Sequence, residues 1–218
     1  MIAAVRIGLL AAAVLAAAPA VASVPDPDAQ LWTEADLIGA LATNTALTGI
    51  LIGRFGRDLP NPTLTALGVD LSQRVGDWTF EAGLRHQAVA HSTGGPSISG
   101  LAIAVVTYSR TFVRSTIAIR SRIDNTLHSS GNPWRFRIRG EYRWALPTAG
   151  PISYVFINDE ALYQGSAREW FRNRAQTGMD FALGKRSDLL LYYQRQSDRL
   201  STPSHIHALG LTLYVNLE

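Results

Sequence analysis

The chain has 218 residues, no cysteine, and 20 basic against 17 acidic residues, which gives a formal net charge of +3. The lack of cysteine excludes a disulfide framework, a thiolate nucleophile and cysteine metal ligands, and the length suits one domain. Lys185 is the one lysine of the chain, so nearly all of the positive charge is arginine. Arginine is favoured where cations pair with carboxylates in a confined space, although a GC-rich genome is an alternative explanation. The arginines alternate with acids instead of forming a compact basic patch, so no nucleic-acid partner is expected.

The first 22 residues have the pattern of a secretory signal peptide. Arg6 is followed by an apolar run of alanine, leucine and valine that closes with Ala20-Val21-Ala22, a small-x-small cleavage pattern. Pro19 disfavours a helix that spans the membrane. We predict cleavage near Ala22 and one domain over residues 23–218. No later apolar run reaches the roughly 20 residues that a membrane helix needs, so this domain is either soluble or a β-barrel in a membrane.

Alternating and apolar segments predict eleven strands and no helix. In chain order they cover 29–41, 45–57, 63–75, 78–90, 98–110, 112–124, 134–145, 152–163, 171–184, 187–197 and 205–217. Single-chain bacterial barrels have an even number of strands. The segment 29–41 is therefore either a segment in the lumen or a first strand that belongs to a pair completing twelve, and the barrel is expected to have about ten to twelve strands.

The connections alternate in length from the second strand onward. The longer ones are DLPNP, HSTGGPS, NTLHSSGNP, GSAREW and SDRLSTPS, and the shorter ones are VGD, the region 109–111, PTAGP and GKRS. Outer-membrane barrels alternate long external loops with short periplasmic turns in this way. The pattern favours an antiparallel up-and-down transmembrane β-barrel in the outer membrane of a Gram-negative envelope.

The segment WRFRIRGEYRW over 134–144 has two unlike faces, one with large apolar side chains and one with charges. An arginine on the lipid face near the middle of the bilayer costs roughly 2–4 kcal/mol, so in a membrane barrel the charged face must point inward. Trp134 and Trp144 then lie at opposite ends of the outer face, as in an aromatic girdle. In a soluble barrel the apolar face would instead fill the core.

Charges of opposite sign recur on the polar faces of successive strands, which normally neighbour one another. Such residues can form a ladder of arginine–carboxylate hydrogen bonds across a narrow lumen. The predicted lumen-lining residues are Arg120, Arg122, Arg135, Arg137, Arg139, Glu141, Arg143, Glu160, Arg174 and Asp180.

Other chemistry has weaker support in the sequence. His205 and His207 supply two imidazoles of a zinc site, but such sites need three or four ligands, so neither a metal nor any other cofactor is expected. A hydrolase on a barrel would need a Ser–His pair with a third group that orients the histidine. No G-x-S-x-G elbow is present, so an enzyme is not expected. The candidate side chains for it are His86, His91, Ser92, His128, Ser129 and Ser130.

Four runs resemble a bacterial family of outer-membrane proteins that is catalogued as domain of unknown function 2490. They are TFVRSTIAIRSRIDN, WRFRIRGEYRWALP, SYVFINDEALY and FRNRAQTGMDFALGKRSDLLLYYQRQS, and QLWTEADL is similar to the start of that family. The resemblance implies an outer-membrane barrel and supplies no catalytic residues. Barrels of this kind commonly end in an aromatic residue that the assembly machinery reads, whereas this chain ends Asn216-Leu217-Glu218, and Tyr214 is the alternative signal.

These features predict a monomeric barrel in contact with outer-membrane lipid, either structural or a narrow conduit. Barrels of about eight strands are filled by side chains, and open aqueous pores need about 16, so a general diffusion porin is not expected. Rings of arginine favour anions. Exchange of Arg137 or Arg139 for glutamate would then abolish or invert an anion preference. The alternative is a soluble, lipocalin-like periplasmic binding protein with an apolar cavity.

Overall fold

The computed structural model describes residues 28–56, 62–90, 96–127, 133–147, 150–201 and 203–217, and within them eleven strands close into one barrel without a helix. The strands are β1 (Asp28–Ala42), β2 (Thr45–Phe55), β3 (Pro62–Val75), β4 (Trp78–Val89), β5 (Ser97–Phe112), β6 (Ser115–Leu127), β7 (Trp134–Ala145), β8 (Ile152–Gln164), β9 (Glu169–Ala182), β10 (Ser187–Asp198) and β11 (His205–Asn216). The predicted all-β barrel is confirmed. The predicted signal peptide lies outside the described residues. None of the described residues belongs to a helix that is long and apolar enough to cross a membrane.

The barrel closes through a parallel pair of strands. Each strand pairs antiparallel with the next, but β1 runs parallel to β11, from Asp28 opposite Ile206 to Ile38 opposite Asn216. The segment 29–41 is thus a strand of the wall and not a lumenal segment, and the eleven described strands lie within the predicted range of ten to twelve. Both edges of β1 are hydrogen-bonded, which leaves the barrel no open edge. An odd number of strands in a closed barrel requires one parallel pair.

We call the end of the barrel at the connections after β2, β4, β6, β8 and β10 the loop end, and the opposite end the turn end. The largest differences from the approximate predicted boundaries concern the β5–β6 turn and the start of β9. The turn between β5 and β6 lies at Val113–Arg114, and not at 109–111, because Phe112 still pairs with Ser115. Val113 adopts a φ of 32°. Glycine and asparagine are the usual residues in such hairpin turns, so the sequence lacked the expected signal. Strand β9 begins at Glu169 instead of 171.

Most of the large apolar side chains of the wall point outward, although Leu101, Ile103 and Val105 of β5 form a buried cluster on the inside. Trp134, Ile138 and Trp144 are 45%, 40% and 41% exposed, whereas Glu141 of the same strand is 9% exposed. Large apolar side chains are exposed on the outer face of every strand, and such a surface is typical of contact with lipid and not with water. The barrel is therefore a transmembrane one, and the soluble, inside-out alternative is wrong. Aromatic rings contact one another at both ends of the outer face, with Trp134 and Tyr163 at the loop end and Trp78 and Tyr108 at the turn end. Such belts mark the two membrane–water interfaces.

Candidate functional site: the barrel lumen

The structure places all ten predicted lumen-lining residues on the inward face. Strict alternation along β6 to β9 explains this placement, because a strand turns every second side chain to the same side. Arg122, Glu141, Arg174 and Asp180 are buried there, with 4–9% exposure. The other six are partly exposed to the lumen: Arg120, Arg135, Arg137, Arg139, Arg143 and Glu160.

Asp124 is the centre of the ion-pair network near the loop end. It is fully buried, at 0% exposure. Its carboxylate accepts a hydrogen bond from Arg122 Nε at 2.5 Å and lies 2.5 Å from a terminal nitrogen of Arg137. Arg122 and Arg137 are direct cross-strand neighbours. One carboxylate therefore holds two guanidinium groups that would otherwise repel each other.

Two further pairs continue this network on β8, β9 and β10. Arg174 lies 3.2 Å from Glu160 and donates from Nε to Gln196 at 2.8 Å. Arg172 donates from Nε to Asp198 at 2.6 Å. Asp198 was not among the predicted lumen residues, but it follows the same two-residue alternation along β10.

Toward the turn end the pairs involve other carboxylates. Glu141 lies 3.6 Å from Arg139, pairs with Arg143, and also accepts from Asn158 at 3.3 Å. Farther around the barrel, on β3, β4 and β6, Arg85 pairs with Asp70 at 3.1 Å and Arg120 pairs with Glu81 at 3.2 Å. Asp180 is buried opposite Tyr154. Arginine–carboxylate pairs between described residues thus run around most of the barrel, from β3 to β10.

Sequence reasoning missed a stack of arginines on Trp32. The guanidinium carbon of Arg54 lies 3.9 Å from the centre of a Trp32 ring, and that of Arg174 lies 5.3 Å from it. Trp32 is buried in the lumen although it belongs to the segment of uncertain role. Only the closure of β1 against β2 and β11 brings these residues to β9. The spacing of Trp32, Glu34 and Asp36 at every second position places them on one face of the strand, and this was visible in the sequence. The sequence did not indicate which strands lie beside that segment.

The charges of the described lumen differ between its two halves. Inward-facing charges within six residues of the loop end comprise eight arginines and six carboxylates: Arg54, Arg85, Arg122, Arg135, Arg137, Arg139, Arg172, Arg174, Asp28, Glu34, Asp124, Glu160, Glu169 and Asp198. The turn half has three arginines and six carboxylates: Arg74, Arg120, Arg143, Asp36, Asp70, Glu81, Glu141, Asp180 and Asp188. Positive charge therefore prevails toward the loop end and negative charge toward the turn end.

None of the ion pairs between described residues includes Arg54 or Arg135. Arg54 stacks on Trp32 instead, and Arg135 lines a cavity of about 450 Å³ at the loop end. The rest of that cavity is polar apart from one proline, and its other described lining residues are Gln87, Ser97, Ser99, Thr126, Pro133 and Gln164. A small polar solute matches the volume and the polar lining of this cavity.

Side chains fill the middle of the lumen. A second cavity near the turn end has only about 60 Å³ and shares no lining residue with the first. Leu162 and Gln194, which lie between the two cavities, are fully buried. The ring of Tyr192 occupies the space that a Cβ atom would take at Gly210, on the next strand. The arrangement excludes a wide aqueous pore in this conformation.

The side chains considered for other chemistry lie elsewhere. His205 and His207 are on the outer face of β11, where Ser197 Oγ lies 3.3 Å from His205 Nδ1 and Tyr193 contacts His207. None of the described hydrogen bonds joins a carboxylate to His205, and no group of three metal-binding side chains occurs among the described residues. His91, Ser92, His128, Ser129 and Ser130 lie outside those residues. His86 is exposed on the outer face of β4.

The barrel is similar to a solved structure described as a NanC porin. The TM-score is 0.56 and the sequence identity 9%, and the match covers 88% of this chain and 100% of that chain. At this identity the likeness concerns the fold alone. No curated protein matches the sequence. The family described as protein of unknown function (DUF2490) matches residues 29–207, which is most of the chain. The chain therefore belongs to the DUF2490 family, as the runs of alternating arginine indicated, and its fold is a porin-like β-barrel.

Proposed function

We propose that the protein is a non-enzymatic barrel of the bacterial outer membrane, exported by a signal peptide that is cleaved near Ala22, and that its lumen is a narrow, anion-preferring conduit. The observation that carries this proposal is the surplus of arginine in the loop half of the lumen. Arginines that line a pore attract anions and repel cations. The similar solved structure is that of a porin, which supports the same class of function.

Arg54 and Arg135 are the arginines of the loop half whose positive charge can act on a solute. A guanidinium that already shares a carboxylate attracts an anion less, because the pair is nearly neutral. These two have no carboxylate within ion-pair distance among the described residues. Arg135 also lines the cavity at the loop end, so a solute in that cavity meets an arginine that has no carboxylate partner among the described residues.

The filled middle of the lumen restricts the conduit to small solutes. Passage requires displacement of side chains between the two cavities, so conductance is expected to be far below that of the open pores of barrels with about 16 strands. The acidic turn half opposes an anion that has crossed the middle. Currents carried by anions should therefore depend on the direction of the applied voltage.

Planar-bilayer recording with a salt gradient tests the proposal. In Arg135→Gln, one positive charge disappears at the mouth without the loss of an ion pair. A unit charge about 4 Å from an ion changes its energy by about 1 kcal/mol in water, so loss of this charge disfavours an anion and favours a cation by about that amount each. The anion-to-cation permeability ratio should therefore fall about 30-fold. Arg110→Gln is the matched control, because Arg110 is exposed at the turn end of β5, beside Phe112 on the outer face.

Two results would overturn the proposal. An unchanged permeability ratio in Arg135→Gln would show that the arginines of the lumen do not cause the selectivity. A folded wild-type barrel that carries no current at any voltage would mean a structural role. Heat-modifiability of the protein in the outer-membrane fraction establishes the folded state and the location before these recordings.

Assembly of this barrel is expected to use the barrel assembly machinery. Tyr214, the aromatic residue nearest the carboxyl end, belongs to β11 and lines the small cavity near the turn end. Its ring is therefore inward in the folded barrel and accessible only before closure. Replacement of Tyr214 by alanine should lower the amount of folded barrel in the outer membrane if this residue is the assembly signal.

A further inference from the structure

A group of polar and small side chains lies on the outer wall of β7 to β10. These side chains do not face the lumen, and the polar ones are unfavourable in contact with lipid. We call this group the outer polar patch: Gly140, Asp159, Asn173, Ala175 and Arg195. All five are exposed. Asp159 lies between Gly140 and Ala175 in the sheet, and Ala175 lies between Asp159 and Arg195. Asn173 Nδ2 donates to both carboxylate oxygens of Asp159, at 2.9 and 3.0 Å.

The patch lies nearer the middle of the membrane than the aromatic belt at the loop end. Tyr163 and Trp170 contact each other at the loop end of the outer face. Asp159 precedes Tyr163 by four residues on β8, and Asn173 follows Trp170 by three residues on β9, so both lie farther from the loop end than the aromatic pair. With a rise of about 3.3 Å per residue and a tilt of about 40°, Asp159 lies about 10 Å below the belt. That depth is inside an apolar band about 25 Å tall.

Charges at that depth are unfavourable against lipid. An arginine on the lipid face costs up to roughly 2–4 kcal/mol, depending on its depth, and an acidic residue costs less. None of the ion pairs between described residues includes Asp159 or Arg195. Ionisable groups in such places usually face protein and pair there. The outer polar patch therefore needs a protein partner that supplies opposite charges.

We propose that this partner is a second copy of the chain, and that two barrels associate through their outer polar patches about a two-fold axis. Both copies have the same orientation in the membrane, so the axis must be parallel to the membrane normal. If the axis passes beside Ala175 on β9, the β8 side of one copy faces the β10 side of the other. Asp159 then faces Arg195 of the second copy, and the same pair forms again on the other side of the axis, as an isologous interface requires.

The small residues of the patch allow the walls to approach. Ala175 has the smallest side chain after glycine and lies nearest the axis. A Cβ atom at Gly140 would meet nothing within 4 Å, so the wall is indented beside Asp159. Close approach of backbones at small residues is a common feature of association in membranes. This inference departs from the monomer expected from the sequence, and it is independent of whether the lumen conducts.

Cysteine cross-linking tests the interface cleanly, because the chain has no cysteine of its own. Ala175→Cys is treated with a short homobifunctional maleimide in native membranes. Ala104→Cys is the matched control, since Ala104 is an exposed alanine at a similar depth on β5. The expected result is several-fold more band of twice the mass for Ala175→Cys than for Ala104→Cys. Equal yields for the two variants would overturn the proposal.

Charge exchange tests the proposed ion pair within the same assay. In the Ala175→Cys background, Asp159→Arg or Arg195→Asp alone should lower the cross-linked yield, because like charges then face each other. The double variant with both changes should restore it. Failure of the double variant to recover, in a barrel that is still heat-modifiable, would refute the pairing. A cross-linked band that contains a different protein, or lipopolysaccharide bound in its place, would refute the second copy as the partner.

Discussion

Removal of the Asp124 carboxylate is the sharpest test of the lumen network. In Asp124→Asn the side chain keeps its size but loses its charge, so Arg122 and Arg137 remain as direct cross-strand neighbours without the group that joins them. Asp124 is fully buried, and loss of one partner from a buried ion pair costs about 3–5 kcal/mol. We therefore expect the free energy of unfolding to fall by about that amount.

Urea unfolding of the barrel in lipid vesicles, followed by tryptophan fluorescence, measures this loss. Asp77→Asn is the control, because Asp77 is exposed in a two-residue turn, and exposed substitutions change stability by about 0.5 kcal/mol or less. Arg122→Gln should cost less than Asp124→Asn, since Asp124 keeps Arg137 and one repulsion disappears. A loss below about 1 kcal/mol for Asp124→Asn would show that lumenal water screens the network as it screens exposed pairs, and would refute the reasoning.

Two other predictions follow from the packing and the topology. Gly210→Ala should destabilise the barrel by about 1–3 kcal/mol through overpacking against Tyr192, and Gly49→Ala should not, because its Cβ would meet only an ordinary contact at 4.0 Å; equal effects in urea unfolding would contradict this account. Parallel closure places Ala29 at the loop end and Val113 at the turn end. A membrane-impermeant maleimide on intact cells should therefore label Ala29→Cys and reach Val113→Cys only after lysis, whereas labelling of both from the same side would contradict the topology.

Much of the wall follows from local pattern. Alternation in WRFRIRGEYRW assigned an apolar and a charged face to β7, and the energy of arginine in lipid decided that the charged face points inward. The same two-residue period placed Glu160 and Asp159 on opposite faces of β8, and the structure shows Glu160 beside Arg174 and Asp159 beside Asn173. Ten of the eleven strands begin and end within two residues of the prediction, because turns and alternation are signals within one strand.

The errors occurred where such a signal was missing or misplaced. Val113 occupies a turn position that favours glycine or asparagine, so the β5–β6 hairpin was placed a few residues too early. An even strand number was assumed from other barrels, whereas β1 joins β11 in parallel. Nothing in the segment 29–41 indicates the direction of its neighbour, because either direction satisfies its backbone groups.

The sequence by itself determined that the chain forms a barrel with apolar side chains outside and arginine–carboxylate pairs inside, because side-chain direction in a strand depends only on position along that strand. The tertiary structure decided the parallel closure, the stacking of Arg54 and Arg174 on Trp32, the filled middle of the lumen, and the grouping of Gly140, Asp159 and Arg195 on the outer wall. These features depend on which strands are neighbours and on how far each is shifted along the next, and residues distant in sequence set both.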